Sequence, residues 1–178
     1  AYVLGDGVAA VQADERLGWC ETAIVAGVGP RTASAVVDGA CAGPAPPPRR
    51  FVLQPAQCWI GNMRSLRETL AKNGYGVAEE RWLDDNGPNQ RPNGRRLLVT
   101  IRADRDAAAE PSETELLVGL PSADVARSAY VKHHRQWVED VANHPRDSRK
   151  RREAARVARA SAEMRSSSGG SDRRPLQG

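Results

Sequence analysis

Four residues, Gly27-Val28-Gly29-Pro30, interrupt an apolar run and open a helix-like pattern in the stretch TAIVAGVGPRTASAVV, Thr22 to Val37. Glycines at such a turn leave the backbone open to close approach by a ligand. Pro30 suits a first helical position, where its missing N–H is an orphan in any case. The same residues also read as a tight strand-to-helix turn without a ligand. A second concentration lies near the end of the chain, where Arg149, Arg152, Arg156 and Arg159 are spaced by three, four and three residues. That spacing puts them on one face of a helix that Asp147 or Ser148 could cap, with Lys150 and Arg151 alongside. Stacked like charges repel, but phosphates opposite them turn the stripe favourable through charge-assisted contacts and counterion release. With no base-reading pattern, the expected ligand is structured RNA read by shape and backbone; a solvated charged helix is the plainer alternative. The other polar candidates are weaker. His133 and His134 point about 100° apart on a helix and do not converge on one ion, so they read as surface residues beside a packing Trp137. Glu79-Glu80 and Asp84-Asp85 lack a converging partner and read as solvated strand and turn residues. Cys20, Cys41 and Cys58 are an odd count without CxxC spacing, which argues against a disulfide framework or a zinc site and for small buried residues in a reducing compartment. No metal site and no catalytic side chain emerges.

The elements that must position these residues alternate. Ala1 to Leu4 reads as the end of a strand closed by Gly5-Asp6-Gly7, followed by a short amphipathic segment, Val8 to Val11. Thr22 to Ala26 suits a buried parallel strand, and Ala33, Val36 and Val37 recur at helical spacing after it. Gly39 to Arg50, with Pro44, Pro46, Pro47 and Pro48, reads as a surface loop. Phe51 to Leu53 is a second strand, and Ile60, Met63, Leu66, Arg67 and Leu70 form a helical stripe ended by Asn73-Gly74. Tyr75 to Trp82 and Leu97 to Ile101 read as strands joined by a polar turn. Strands alternating with helices imply a parallel sheet, and the last pair a hairpin: the second half of a doubly wound α/β domain. Beyond Pro111 the pattern turns helical, with a short helix from Ser112 to Val118 and a longer one from Ser122 to Ala142 that places Val125, Ala129, Tyr130, Trp137, Val138 and Val141 on one side. Residues 166–178 are low-complexity polar sequence.

Charge divides the 178 residues unevenly. Residues 145–178 carry ten Lys/Arg against four Asp/Glu, whereas the remainder carries sixteen against eighteen. A nearly neutral body with a basic tail points to a polyanionic partner. No apolar run approaches the roughly 18 residues needed to cross a membrane. The chain starts at Ala1 without an apolar leader, so no signal peptide is expected; a leader has been removed or the chain is part of a longer product.

The ordered set Gly5-Asp6-Gly7, Ala23 to Pro30, Phe51 to Pro55, Ser65 to Leu70 and Gly74 to Glu80 resembles the later part of the bacterial tRNA adenine-N1 methyltransferases. The likeness covers roughly residues 1–143. It implies an α/β fold with a partial class I methyltransferase (Rossmann-like) sheet over residues 1–106 and a helical C-terminal extension over 107–144; the charge pattern adds a basic RNA-contacting helix and disordered tail over 145–178. It also implies that Gly27, Val28, Gly29, Gln54 and Pro55 border a pocket for S-adenosylmethionine, in line with the rule that open parallel sheets bind ligands beyond their strand carboxyl ends. Three departures matter. The family's Gly-Met-Gly-Gly is Gly27-Val28-Gly29-Pro30, its Tyr-Glu in the last strand is Arg96-Leu97-Leu98, and its donor-binding glycine loop falls before the equivalent of Ala1.

In that strand order Thr22–Ala26, normally central, becomes an open apolar edge. The expectation is that a neighbouring protein or a missing N-terminal half completes the sheet beside it. On these grounds the main functional expectation is a degenerate methyltransferase-like protein with vestigial cofactor residues and no cofactor, binding rRNA or tRNA as a structural part of a ribonucleoprotein. An organellar, for instance mitochondrial, ribosome fits that role, with a cytoplasmic location otherwise. The alternative is the C-terminal part of an active tRNA adenine-N1 methyltransferase that uses S-adenosylmethionine. A third class is a protein-docking module built on Tyr130 and Trp137, two helical turns apart.

Overall fold

A computed structural model of the chain describes residues 20–56, 58–84, 97–107, 110–122 and 124–143 and the single positions 152, 155 and 158. Two compact units divide the chain, residues 1–130 and 131–178. In the first, strands β1 (Thr22–Ala26), β2 (Arg50–Gln54), β3 (Gly76–Asp84) and β4 (Leu97–Asp104) form one sheet in the order β1-β2-β4-β3. β1 and β2 run parallel, with Ile24 beside Val52, and β4 lies antiparallel to both β2 and β3. The alternation of strands and helices thus closes in the expected hairpin.

Helices α1 (Pro30–Ala42) and α2 (Ile60–Lys72) connect the strands. Pro30 begins α1 at the position where its absent N–H costs nothing. The helix runs through Gly39 to Ala42, so the proline loop starts at Gly43 rather than at Gly39. In α2 the apolar positions recur every three or four residues, and Ile60, Met63, Leu66 and Leu70 are all fully buried. Asn73 caps its end, and Gly74 reverses the chain at φ +79°. These side chains meet one face of the sheet, where Ala23, Phe51, Leu53, Val99, Ile101, Ala103 and Trp82 are buried.

The opposite face of the sheet is a ladder of alternating charge. Arg50 Nε meets Asp104 Oδ1 at 2.6 Å, Arg102 reaches Asp104 and Glu79 at 3.4 Å each, and Arg81 Nε meets Glu79 Oε1 at 2.6 Å. The ladder stops short of β1. There Ile24, 74% exposed, stands beside the half-buried Val52.

A short helix, α3 (Glu113–Val118), follows the sheet. Its start is fixed by a capping box in which the Ser112 hydroxyl accepts from the Glu115 N–H while the Glu115 carboxylate accepts from the Ser112 N–H. The long helix α4 (Val125–Asn143) begins in the first unit. Val125, expected on its packed side, is 85% exposed, because Ala126 and Tyr130 supply the buried positions of that turn instead. In the second unit His133 and His134 meet edge to face at 5.4 Å; His133 is exposed as expected, but His134 is buried. The side chains of Trp137, Val138 and Val141 lie outside the described residues, as do Gly5-Asp6-Gly7, the strand end expected at Ala1 to Leu4 and the amphipathic segment Val8 to Val11.

Candidate functional site

β1 and β2 deliver their carboxyl ends to the same end of the sheet, and the loops that leave them are tied together. The Gly27 N–H donates to the Gln54 carbonyl at 3.1 Å, and the Ala56 N–H donates to the Val28 carbonyl at 2.8 Å. Gly27 holds φ +74°, a left-handed conformation that a side chain would strain. Gly29 precedes α1 in an extended conformation, and Pro55 is buried. A Cβ added at Gly27 or Gly29 would meet nothing within 4 Å, so both glycines border open space. The structure therefore brings Gly27, Val28, Gly29, Gln54 and Pro55 into one place.

Among the described residues, Gly27 and Gly29 thus present main-chain atoms rather than side chains to that space. Pro30 supplies no N–H to it, and the residues of the two loops, 27–30 and 54–56, include no carboxylate for sugar hydroxyls. Of the arginine stripe, only Arg152 is described, and it is exposed; Arg149, Lys150, Arg151, Arg156 and Arg159 lie outside the described residues.

A cavity of about 70 Å³ lies elsewhere, lined by Arg67, Tyr75, Gly76, Glu80, Glu115 and Leu120 among others. Gly76 pairs with Asp104 and Asp104 with Arg50, so the cavity adjoins the end of the sheet opposite the glycine loops. Behind it stands a polar cluster that the residue pattern conceals. The Glu80 side chain is fully buried and Arg67 is 2% exposed, correcting the reading of Glu80 as a solvated strand residue. Arg67 Nε donates to Glu80 Oε1 at 2.8 Å, and Arg67 Nη1 donates to the carbonyls of Leu116 and Leu117 at 3.0 and 3.4 Å. Glu80 Oε2 accepts from the Leu120 N–H at 3.1 Å. Gly119 has φ +78°, and a Cβ on it would overlap the Glu80 carboxylate and come within 2.9 Å of Arg67 Nη2. Two signals in the sequence mark this pair. Arg67 falls on the apolar stripe of α2, and Glu80 alternates in phase with Trp82 rather than with Glu79.

The cysteines are free and half-buried, not fully buried as their pattern suggested. Burial pushes the Cys58 and Cys41 thiols up from their ordinary values. Burial likewise raises the phenols of Tyr75, which donates to the Pro48 carbonyl, and of Tyr130, whose ring packs 4.4 Å from that of Trp82. Among the described residues no group of three metal-ligating side chains occurs, and no helix is long and apolar enough to cross a membrane.

No protein-family model matches the chain, and no curated protein matches it by sequence. Solved structures do. A candidate tRNA (m1A22) methyltransferase of Streptococcus pneumoniae superposes with a TM-score of 0.67 at 17% identity, covering 90% of this chain and 67% of that one. A protein of the NADB-Rossmann superfamily from Streptococcus agalactiae gives 0.66 at 16% identity, covering 92% and 65%. TrmK of M. capricolum, solved with S-adenosyl-homocysteine, gives 0.67 at 10% identity, covering 88% and 66%. The chain therefore spans about two thirds of the length of the structures it matches, and over that span it has the Rossmann-like fold of the class I methyltransferases.

Proposed function

We propose that this chain acts in adenine-N1 methylation of tRNA, contributing one wall of the methyl-donor pocket and the surface that meets the RNA. The observation that carries this reading is the pair of loops Gly27–Gly29 and Gln54–Ala56, hydrogen-bonded to each other at the carboxyl ends of the two parallel strands. It is supported by the likeness to structures whose names specify a tRNA methyltransferase and S-adenosyl-homocysteine. S-adenosylmethionine supplies an electrophilic methyl group. The part of Gly27, Val28, Gly29, Gln54 and Pro55 is to hold the donor against main-chain atoms, because methyl transfer depends on aligning the nucleophile with the donor more than on acid–base chemistry. The other wall comes from a polypeptide that pairs with the outer edge of β1, beside Thr22–Ala26. The basic segment around Arg152, from Arg149 to Arg159, holds the tRNA through its phosphates.

The degenerate, ribosomal reading keeps one observation in its favour, the buried Pro30 where the similar family has a glycine. One experiment separates the two. S-adenosyl-homocysteine titrated into the isotopically labelled full chain, at ligand concentrations on the order of 1 mM to catch weak half-site binding, is expected to shift the amide resonances of residues 27–29 and 54–56. No shift there, with tRNA binding retained, overturns the methyl-transfer reading and favours a structural RNA-binding role.

A further inference from the structure

We propose that Arg67 and Glu80 are positioning residues: their buried ion pair fixes the backbone of residues 116–120 and thereby the seat of the first turn of α4, residues 125–130, on which RNA affinity depends. The RNA part of this inference rests on the function proposed above.

The argument starts from what a helix end requires. The last carbonyls of a helix have no partners within it, and α3, only six residues long, cannot hold a direction by itself. Two of those carbonyls, on Leu116 and Leu117, accept from Arg67 of α2. The next free donor along the chain, the Leu120 N–H, is taken by Glu80 of β3. Gly119 between them turns at φ +78° and ψ −176° and lays its backbone against the carboxylate. Three segments far apart in sequence are thus referenced to one pair of charges. The start of α4 is tied to the same place. Arg127 Nη2 donates to the Gly119 carbonyl at 3.4 Å, Asp124 Oδ2 accepts from the Trp82 N–H at 3.4 Å, and Tyr130 packs on Trp82.

Stability is a poor explanation for so costly a device. A buried ion pair seldom outweighs the desolvation of its charges, and an apolar pair of similar volume often serves as well or better. An apolar pair could fill this space, but it could not hold the Leu116 and Leu117 carbonyls or the Leu120 N–H. Direction is what the charges add.

The test separates filling from direction. Arg67→Met alone leaves a buried carboxylate, so the informative variant of the full chain is Arg67→Met/Glu80→Leu. Its thermal midpoint is expected within about 5 °C of the wild type. Hydrogen exchange of the amides of residues 116–120 and 125–130 is expected to accelerate at least about tenfold. Affinity for an unmodified tRNA transcript is expected to fall about tenfold. Unchanged exchange overturns the proposal, and so does faster exchange with unchanged tRNA affinity. A double variant that does not fold overturns it as well, because the pair would then be a stabilising element. If the wild-type chain binds no tRNA, the function proposed above fails, while the exchange measurement still decides whether the pair anchors the backbone.

Discussion

The two edges of the sheet are built in opposite ways. β3 has the devices by which natural sheets end: an irregular register between Val77 and Glu79, exposed charge at Arg81, and a cover in which Asp124 takes the Trp82 N–H. β1 has none of them. Thr-Ala-Ile-Val-Ala contains no charge and no proline, Ile24 is 74% exposed, and among the described residues nothing pairs with its outer side. The faces follow the same division. Beside β3 the open face is a ladder of paired charges content in water, and beside β1 it is Ile24 and Val52. Parallel strands are normally buried on both faces, whereas antiparallel ones tolerate solvent on one. The antiparallel side is finished as a boundary; the parallel side, among the described residues, is left open.

The largest effect is expected where the finished side is tightest. Gly119→Ala puts a Cβ onto the Glu80 carboxylate in a backbone conformation that side chains avoid, and must displace the carboxylate that pairs with Arg67 to fit. Backbone strain, overpacking and an unpaired buried charge together cost about 5 kcal/mol, comparable with the whole stability of a small domain. Chemical denaturation should show a chain that is largely unfolded in buffer. A native-like midpoint would mean that the turn can relax, and the boundary would be looser than it is drawn here.

Next in size is a contrast between two apolar side chains on the two edge strands. Trp82 is 4% exposed and packs on Tyr130, so Trp82→Ala should cost about 3–5 kcal/mol. Ile24→Lys should change stability by about 0.5 kcal/mol or less, because the side chain already stands in solvent. Its effect belongs to association: light scattering should show less self-association for Ile24→Lys than for the wild type, since a charge on an edge strand opposes strand pairing. Equal association would mean that the open edge is not a pairing surface.

The sequence disclosed most of this frame. Val, Ile and Leu at period two and at period three to four identify the strands and helices, because burial of one face imposes those spacings regardless of what the face later touches. It disclosed the glycine turn as well, since Gly27 answers a local backbone requirement. The Arg67–Glu80 pair escaped because charged residues are usually exposed, and its partners are backbone groups fifty and forty residues away. The local pattern turns both side chains inward but does not encode which groups they meet. Val125 and His134 escaped for a related reason: on a helix end, which residue turns inward depends on the neighbour and not on the spacing alone.

A smaller effect than that of Trp82→Ala concerns the phenols behind β3. Burial raises Tyr75 and Tyr130 above the ordinary tyrosine value, so the neutral forms belong to the folded state. An unfolded tyrosine ionises near pH 10. Below that pH both states bind the proton and these groups contribute their full stability; above it the unfolded chain releases protons that the folded chain retains, and stability falls as pH rises. The thermal midpoint should therefore begin to fall above about pH 8.5, where the raised Cys41 and Cys58 thiols come into play, and decline more steeply above about pH 10 with the phenols. Tyr75→Phe should lower the midpoint at neutral pH, because the Pro48 carbonyl loses its donor, by about 1–2 kcal/mol in stability. It should also reduce the alkaline slope, because one of the two raised phenols is gone. A slope unchanged in that variant would place the alkaline loss elsewhere, and Tyr75 would then hold the Pro48 loop by its hydrogen bond alone.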